Sequence, residues 1–220
     1  MQKENEIQKE NNKHVLPADK KWRLKEIIVM SALGVAFAPL YMAWIQVWAI
    51  ATGLLGPIGL DIVFGFWFIV SIICAHIFRK PGAALISEWI AAVVQIPLGS
   101  PSGAWLILTG FIQGFGAEVP FWLTKYKKFS TPILMLSGVG ASIASFLYNW
   151  FRFGYSGLSP VLIITMLVIR LISGAVLGGL AGKGIAEGLA ATGVLNSFPL
   201  GKEWRKRRGQ AVYEKYTDGQ

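Results

Sequence analysis

The feature that most constrains this chain is an apolar series from Ile27 to about Gly182, broken only by short polar interruptions. About 20 apolar residues carry a helix across a bilayer core. In lipid every backbone N–H and C=O must be paired within the protein, so continuous segments of this length fold as helices. Turn signals divide the series into six predicted spans, at 27–50, 57–78, 82–98, 103–124, 132–153 and 160–182. Pro57, Pro132 and Pro160 each open a run, where a missing amide hydrogen costs nothing. The connectors are short, so neighbouring helices run antiparallel. The expected fold is an all-α integral membrane bundle of six transmembrane helices. Residues 22–198 form the membrane domain, 1–21 a disordered cytoplasmic N-terminal tail and 199–220 a basic cytoplasmic C-terminal tail. Residues 184–196 read as a continuation of the sixth helix or as an interfacial segment.

Composition supports this placement. Of 220 residues, 54% are hydrophobic and 15% charged, too apolar for a soluble domain that must cover its core with polar surface. The net charge of +9 does not point to nucleic acid, because the cations flank apolar spans and do not gather on one soluble face. Positively charged loops stay on the cytoplasmic side. Nineteen of the 21 Lys and Arg fall before the first span, in connectors 79–82 and 125–131, or after Gly182. That pattern puts both termini in the cytoplasm of a bacterial cell and requires an even number of spans. The polar stretch 2–20 has no apolar signal-peptide core, so export is not expected.

Ionisable groups within a span cost at least ~2.5 kcal/mol at its centre, so each is a functional candidate. Glu88, Glu118 and Arg170 lie inside predicted spans, with Asp61 and Arg152 near the ends of theirs. Asp61 sits in a first helical turn, where a carboxylate is stabilised by the helix dipole; a structural role is the simpler reading. Glu88 and Gln95 are seven residues apart and share a helix face. Glu118 follows Gly110, Gly114 and Gly116 and precedes Pro120, so its helix has a closely approachable backbone and an interrupted hydrogen-bond ladder. The bland alternative is a buried ion pair between Arg170 and either Glu118 or Glu88.

Tyr41, Trp44 and Trp48 lie at helical spacing in the first span. Asn149, between Tyr148 and Trp150, needs hydrogen-bond partners. Trp48, Trp105, Trp150 and Tyr155 read as headgroup-level anchors. Acids beside aromatic faces suit a flat, cationic or amine-bearing ligand. Ala32 and Ala36 with Gly34 and Ala38, then Gly138, Ala141, Ser142 and Ser145, then Gly174 and Gly178, form small-residue helix faces. No phosphate-binding loop, HExxH or GxSxG occurs. The histidines are His14 and His76, and the lone Cys74 is read as packing. No metal site or covalently bound cofactor is expected.

The basic lead-in Lys20-Lys21-Trp22-Arg23-Leu24-Lys25, the Ala32-Leu33-Gly34-Val35-Ala36 motif, Ser87-Glu88-Trp89, Gly116-Ala117-Glu118-Val119-Pro120 and Tyr148-Asn149-Trp150 together resemble the substrate-binding S component of an energy-coupling factor (ECF) transporter, of the YkoE type associated with thiamine and its hydroxymethylpyrimidine precursor. The resemblance covers about residues 22–198. It implies a bundle that captures the vitamin from outside and docks on a transmembrane T component driven by two cytoplasmic ABC-type ATPases. Ala32 and Ala36 would face the T component. Glu88, Glu118, Asn149, Tyr41, Trp44, Gln95, Trp89 and Tyr148 are the ligand contacts expected on this reading.

One tension is visible in advance. At about 1.5 Å per residue, the predicted bounds put both Glu88 and Glu118 nearer the cytoplasmic surface than the outer one. Either the spans are offset or one acid is structural, and Glu88, sharing a face with Gln95, is the preferred ligand. Competing readings are a small secondary transporter, for which no inverted repeat is evident, and an intramembrane enzyme using Glu88 and Glu118 as an acid pair.

Overall fold

The computed structural model describes residues 21–217. Residues 1–20 of the predicted N-terminal tail, His14 among them, lie outside the described residues. Helix α1 (Leu24–Leu55) passes Pro39 without a break and turns at Gly56. Next come α2 (Pro57–Ile62), a 3-10 segment Phe64–Phe68, and α3 (Ile69–Phe78). Helices α4 (Ala83–Val94), α5 (Trp105–Leu123) and α6 (Thr131–Phe153) follow. Helix α7 (Pro160–Ser173) continues through a π-helical segment Gly174–Leu180 into α8 (Ala181–Ala191), and α9 (Pro199–Thr217) closes the chain.

The described residues contain four helical runs long and apolar enough to cross a membrane, Leu24–Leu55, Trp105–Leu123, Thr131–Phe153 and Pro160–Ala191, with shorter apolar helices at Phe64–Phe78 and Ala83–Val94. The six expected crossings are present, but two differ from uniform spans. The second is broken between Ile62 and Ile69, and the third stops at Val94. The sixth extends nine residues beyond the predicted end. There Lys183 and Glu187, 3.7 Å apart, form an i,i+4 pair, which supports a polar helix end.

Helix α3 is buried at every residue, as a helix apolar on all faces but for Ser71 and His76 requires, and α1, α4, α5, α6, α8 and α9 pack around it. Helix α6 and the π-helical segment after α7 meet where neither has a side chain. A Cβ at Gly138 would stand 1.9 Å from the Gly174 carbonyl oxygen, and one at Gly174 would stand 2.1 Å from Ser142 Oγ. Close packing of small residues is how helices associate in lipid. In α1 the small-residue face divides: Gly34 and Ala38 are buried, whereas Ala32 and Ala36 are exposed.

The basic C-terminal segment is helical through Thr217 and packed against the bundle. Phe198 meets Phe78 edge to face at 5.3 Å, and Leu195, Phe198 and Leu200 join the core cluster around α3. The same end of the molecule is tied by Arg79 to Glu203, by Lys80 to Glu26 and the Lys21 carbonyl, and by the Trp22 indole N–H to the Pro81 carbonyl.

Candidate functional site

A cavity of about 560 Å³ opens among the connectors at the opposite end, within the range of about 300–1,000 Å³ typical of small-molecule sites. Its walls come from α1 (Ile45, Trp48), the broken second crossing (Leu60, Phe64, Trp67), α4 (Glu88, Ala92), the 95–104 connector, α5 (Leu106, Thr109, Gln113), the end of α6 (Asn149, Arg152) and α7 (Met166). The connectors 53–57, 95–104 and 154–159 at this end contain no Lys or Arg.

The acid is Glu88, only 1% exposed. Tyr41 Oη and Ser71 Oγ donate to its Oε2 at 3.2 and 3.0 Å. Neither uses Oε1. Glu88 lies six residues, roughly 9 Å of helix rise, from the end of α4 at Val94. Because α4 is short and the following connector lines the cavity, the carboxylate is reached from the connector end.

The break in the second crossing releases backbone groups that lipid cannot satisfy, and side chains answer them. Trp44 Nε1 donates to the Val63 carbonyl at 3.1 Å. Ser173 Oγ donates to the Ile62 carbonyl and accepts from the Gly65 amide. The Val70 amide donates to Tyr41 Oη at 3.3 Å, so Tyr41 connects the break to Glu88. Trp44 also stacks on Phe66 at 4.2 Å, and the break turns Phe64 and Trp67 into the cavity.

Residues 25–144 match the family described as the permease component of an ABC-type cobalt transport system. The chain is 50% identical over 192 residues to the HMP/thiamine permease protein YkoE of Bacillus subtilis (strain 168), covering 87% of this chain and 96% of that one. It is also similar to a crystal structure of an S component of an ECF transporter, with a TM-score of 0.85 and 49% identity over 88% of this chain and 98% of that chain. The chain belongs to the YkoE family of ECF-transporter S components.

Within this S component the expected contacts separate. Glu88, Gln95 and Asn149 line the cavity; Gln95 and Asn149 are buried. Tyr41 acts behind Glu88. Trp44 holds the break and is not among the lining residues. Trp89 is exposed and donates to the Ile107 carbonyl. Tyr148 lies outside the cavity, with a buried hydroxyl that has no partner among the described residues.

Glu118 corrects the sequence reading. Its Oε1 accepts from the Gly82 amide at 2.7 Å, and its Oε2 accepts from Ala84 and Leu85 at 2.9 and 3.1 Å. It caps the start of α4, satisfying amides that a helix N-terminus leaves free, and is not part of the cavity. The suggested pairing of Arg170 with Glu118 or Glu88 is also corrected. Arg170 Nε donates to Asp61 Oδ1 at 2.5 Å, both side chains having no exposure. Its guanidinium lies 3.9 Å from the Phe64 ring centroid. The bland reading was sound in kind but named the wrong acid, because the broken second crossing carries Asp61 inward.

Trp67, Phe64 and Gln113 line the cavity but were not singled out as contacts. Trp48 and Tyr155, expected as anchors, line it too, and the Trp48 indole N–H has no acceptor among the described residues. The signal for Gln113 was available: an amide in an apolar span needs partners as Asn149 does.

Proposed function

We propose that this S component captures thiamine or its hydroxymethylpyrimidine precursor in the Glu88 cavity from outside a bacterial plasma membrane. One observation carries the reading: a buried carboxylate, oriented by Tyr41 and Ser71, at an aromatic cavity on the bundle end whose connectors hold no Lys or Arg. A carboxylate accepts from an exocyclic amine or balances a thiazolium, while Trp48, Phe64 and Trp67 offer ring faces. Among the described residues no three His, Cys, Asp or Glu side chains stand together. This donor set suits an organic ligand better than a bare metal ion. The distribution of cations supports an outer cavity end and cytoplasmic termini.

The exposed Ala32 and Ala36 face is a smooth stripe on which a T component packs closely, with two ABC-type ATPases beneath it. Calorimetric titration of the detergent-purified protein with thiamine, hydroxymethylpyrimidine, riboflavin and biotin is the test. Binding of the first or second, weakened tenfold or more in Glu88→Gln, is the expected result. A folded protein that binds none of the four, or binds equally well without the carboxylate, removes the proposal.

A further inference from the structure

Of the two cations at the cavity end, Arg170 is neutralised by Asp61. Arg152 has no carboxylate within ion-pair distance and donates no hydrogen bond among the described residues. It lines the cavity and is held by rings: its guanidinium carbon lies 5.1 Å from the Phe153 centroid, 5.4 Å from Trp105 and 5.9 Å from Tyr148. Aromatic faces fix a guanidinium without consuming its N–H donors. A cation on the outer side runs against the charge rule that orders the rest of the chain, and no acid offsets it.

Its neighbours suit an anion. Trp105 is the first residue of α5, a 19-residue helix whose N-terminus favours negative charge. Ser100 and Ser102, in the connector before it, line the same cavity with hydroxyl donors. The cavity therefore has two poles, the Glu88 carboxylate in α4 and the uncommitted Arg152 guanidinium at the end of α6.

We propose that Arg152 is a specificity-determining residue that receives a phosphomonoester on the end of the ligand remote from Glu88. The site then takes phosphorylated forms of the amine-bearing ring compound as well as the free alcohol. This rests on the function proposed above and extends it to the charge of the ligand's distal end. A guanidinium binds phosphate with paired, charge-assisted hydrogen bonds. Bonds to charged groups contribute about 1.5–3 kcal/mol each, roughly ten- to a hundredfold in affinity.

The test titrates the full chain in detergent with hydroxymethylpyrimidine, its monophosphate, thiamine and thiamine monophosphate, in the wild type, Arg152→Gln and Arg152→Lys. In the wild type at least one monophosphate is expected to bind as tightly as its alcohol or tighter, and to weaken with added salt more steeply than the alcohol. Arg152→Gln is expected to lose about tenfold or more for that monophosphate and less than about threefold for the alcohol; Arg152→Lys recovers part of the loss. If Arg152→Gln does not fold, the wild-type salt dependence decides alone. Alcohols that bind while both monophosphates are rejected by more than tenfold, or an Arg152→Gln loss equal for ester and alcohol, overturn the inference and leave the Glu88 site standing. Failure of all four compounds to bind the folded wild type removes the underlying function.

Discussion

Glu118→Gln separates a structural acid from a binding acid. The Glu118 carboxylate serves three amides at the start of α4, Gly82 through one oxygen and Ala84 and Leu85 through the other. A glutamine has one acceptor oxygen, and its amino group would face N–H donors. At least one buried amide is orphaned, at about 1–3 kcal/mol, and the lost charge at a helix N-terminus removes about 0.3–2 kcal/mol more. A total of about 1–5 kcal/mol follows, or roughly 3–20 °C in Tm by the scaling for chains of this size. Because Glu118 bonds only the Gly82, Ala84 and Leu85 amides and does not line the cavity, ligand affinity at low temperature should change by less than about threefold. Glu88→Gln should do the reverse. It keeps a group able to meet Tyr41 and Ser71, so the empty protein melts within a few degrees of wild type, while affinity falls tenfold or more. Fluorescence-monitored unfolding of the detergent-solubilised variants, with and without thiamine, reads both quantities. A Glu118→Gln protein with unchanged melting and abolished binding would refute the cap assignment.

Asp61→Asn strands Arg170 in a site without exposure and should cost about 3–5 kcal/mol; Asp61→Asn combined with Arg170→Met should recover much of that loss in thermal unfolding. Gly174→Ala places a methyl 2.1 Å from Ser142 Oγ, and such overpacking should cost about 1–3 kcal/mol or more, read as lower Tm and reduced yield of folded protein. Burial raises the Glu203 carboxyl pKa, but Arg79 and Arg207 outweigh it and hold the group below its ordinary value. Its contribution to docking α9 is therefore present above about pH 4.3 and lost as pH falls through the depressed value. Hydrogen exchange in α9 should accelerate there, and Glu203→Gln should abolish that pH dependence. For the proposed orientation, Ser102→Cys in a Cys74→Ser background should react in whole cells with a membrane-impermeant thiol reagent.

What the sequence made legible follows from the strength of each physical signal. Apolar runs of bilayer length and proline-marked starts located all six crossings, because the cost of an unpaired backbone in lipid leaves few alternatives. That Glu88 and Gln95 line one cavity was readable because seven residues bring side chains back to one helix face. Glu118 was misread because its spacing and glycine-rich setting describe a polar group in an apolar helix equally well whether its partner is a ligand or another helix's amides. Only the packing of α5 against the start of α4 distinguishes them. Asp61 was near enough to a helix start to suggest a dipole role, but its pairing across 109 residues with Arg170 depends on how the second crossing bends. The interior placement of Trp48 and Tyr155 was hidden by the general preference of Trp and Tyr for headgroup depth.

The cavity lies where helical regularity fails, and the two facts explain each other. Within hydrocarbon, non-helical backbone is tolerated only where it is buried in protein or lines a cavity. Two irregular stretches, the Val63–Phe68 break and the 95–104 connector, contribute Phe64, Trp67, Gln95, Ser100 and Ser102 to the walls. The carbonyls and amides released by the break are met by Trp44, Ser173 and Tyr41, and the last of these hydroxyls also donates to Glu88. Restoring a regular second helix would withdraw Tyr41's backbone partner and turn Phe64 and Trp67 away. Position of the acid, shape of the aromatic wall and stability of the break are thus one arrangement. Tyr41→Phe should show it: loss of one hydroxyl removes a bond to Glu88 and orphans the Val70 amide, at about 1–3 kcal/mol for the buried donor. A Tyr41→Phe protein that loses affinity but no stability, or stability but no affinity, would separate what this arrangement joins.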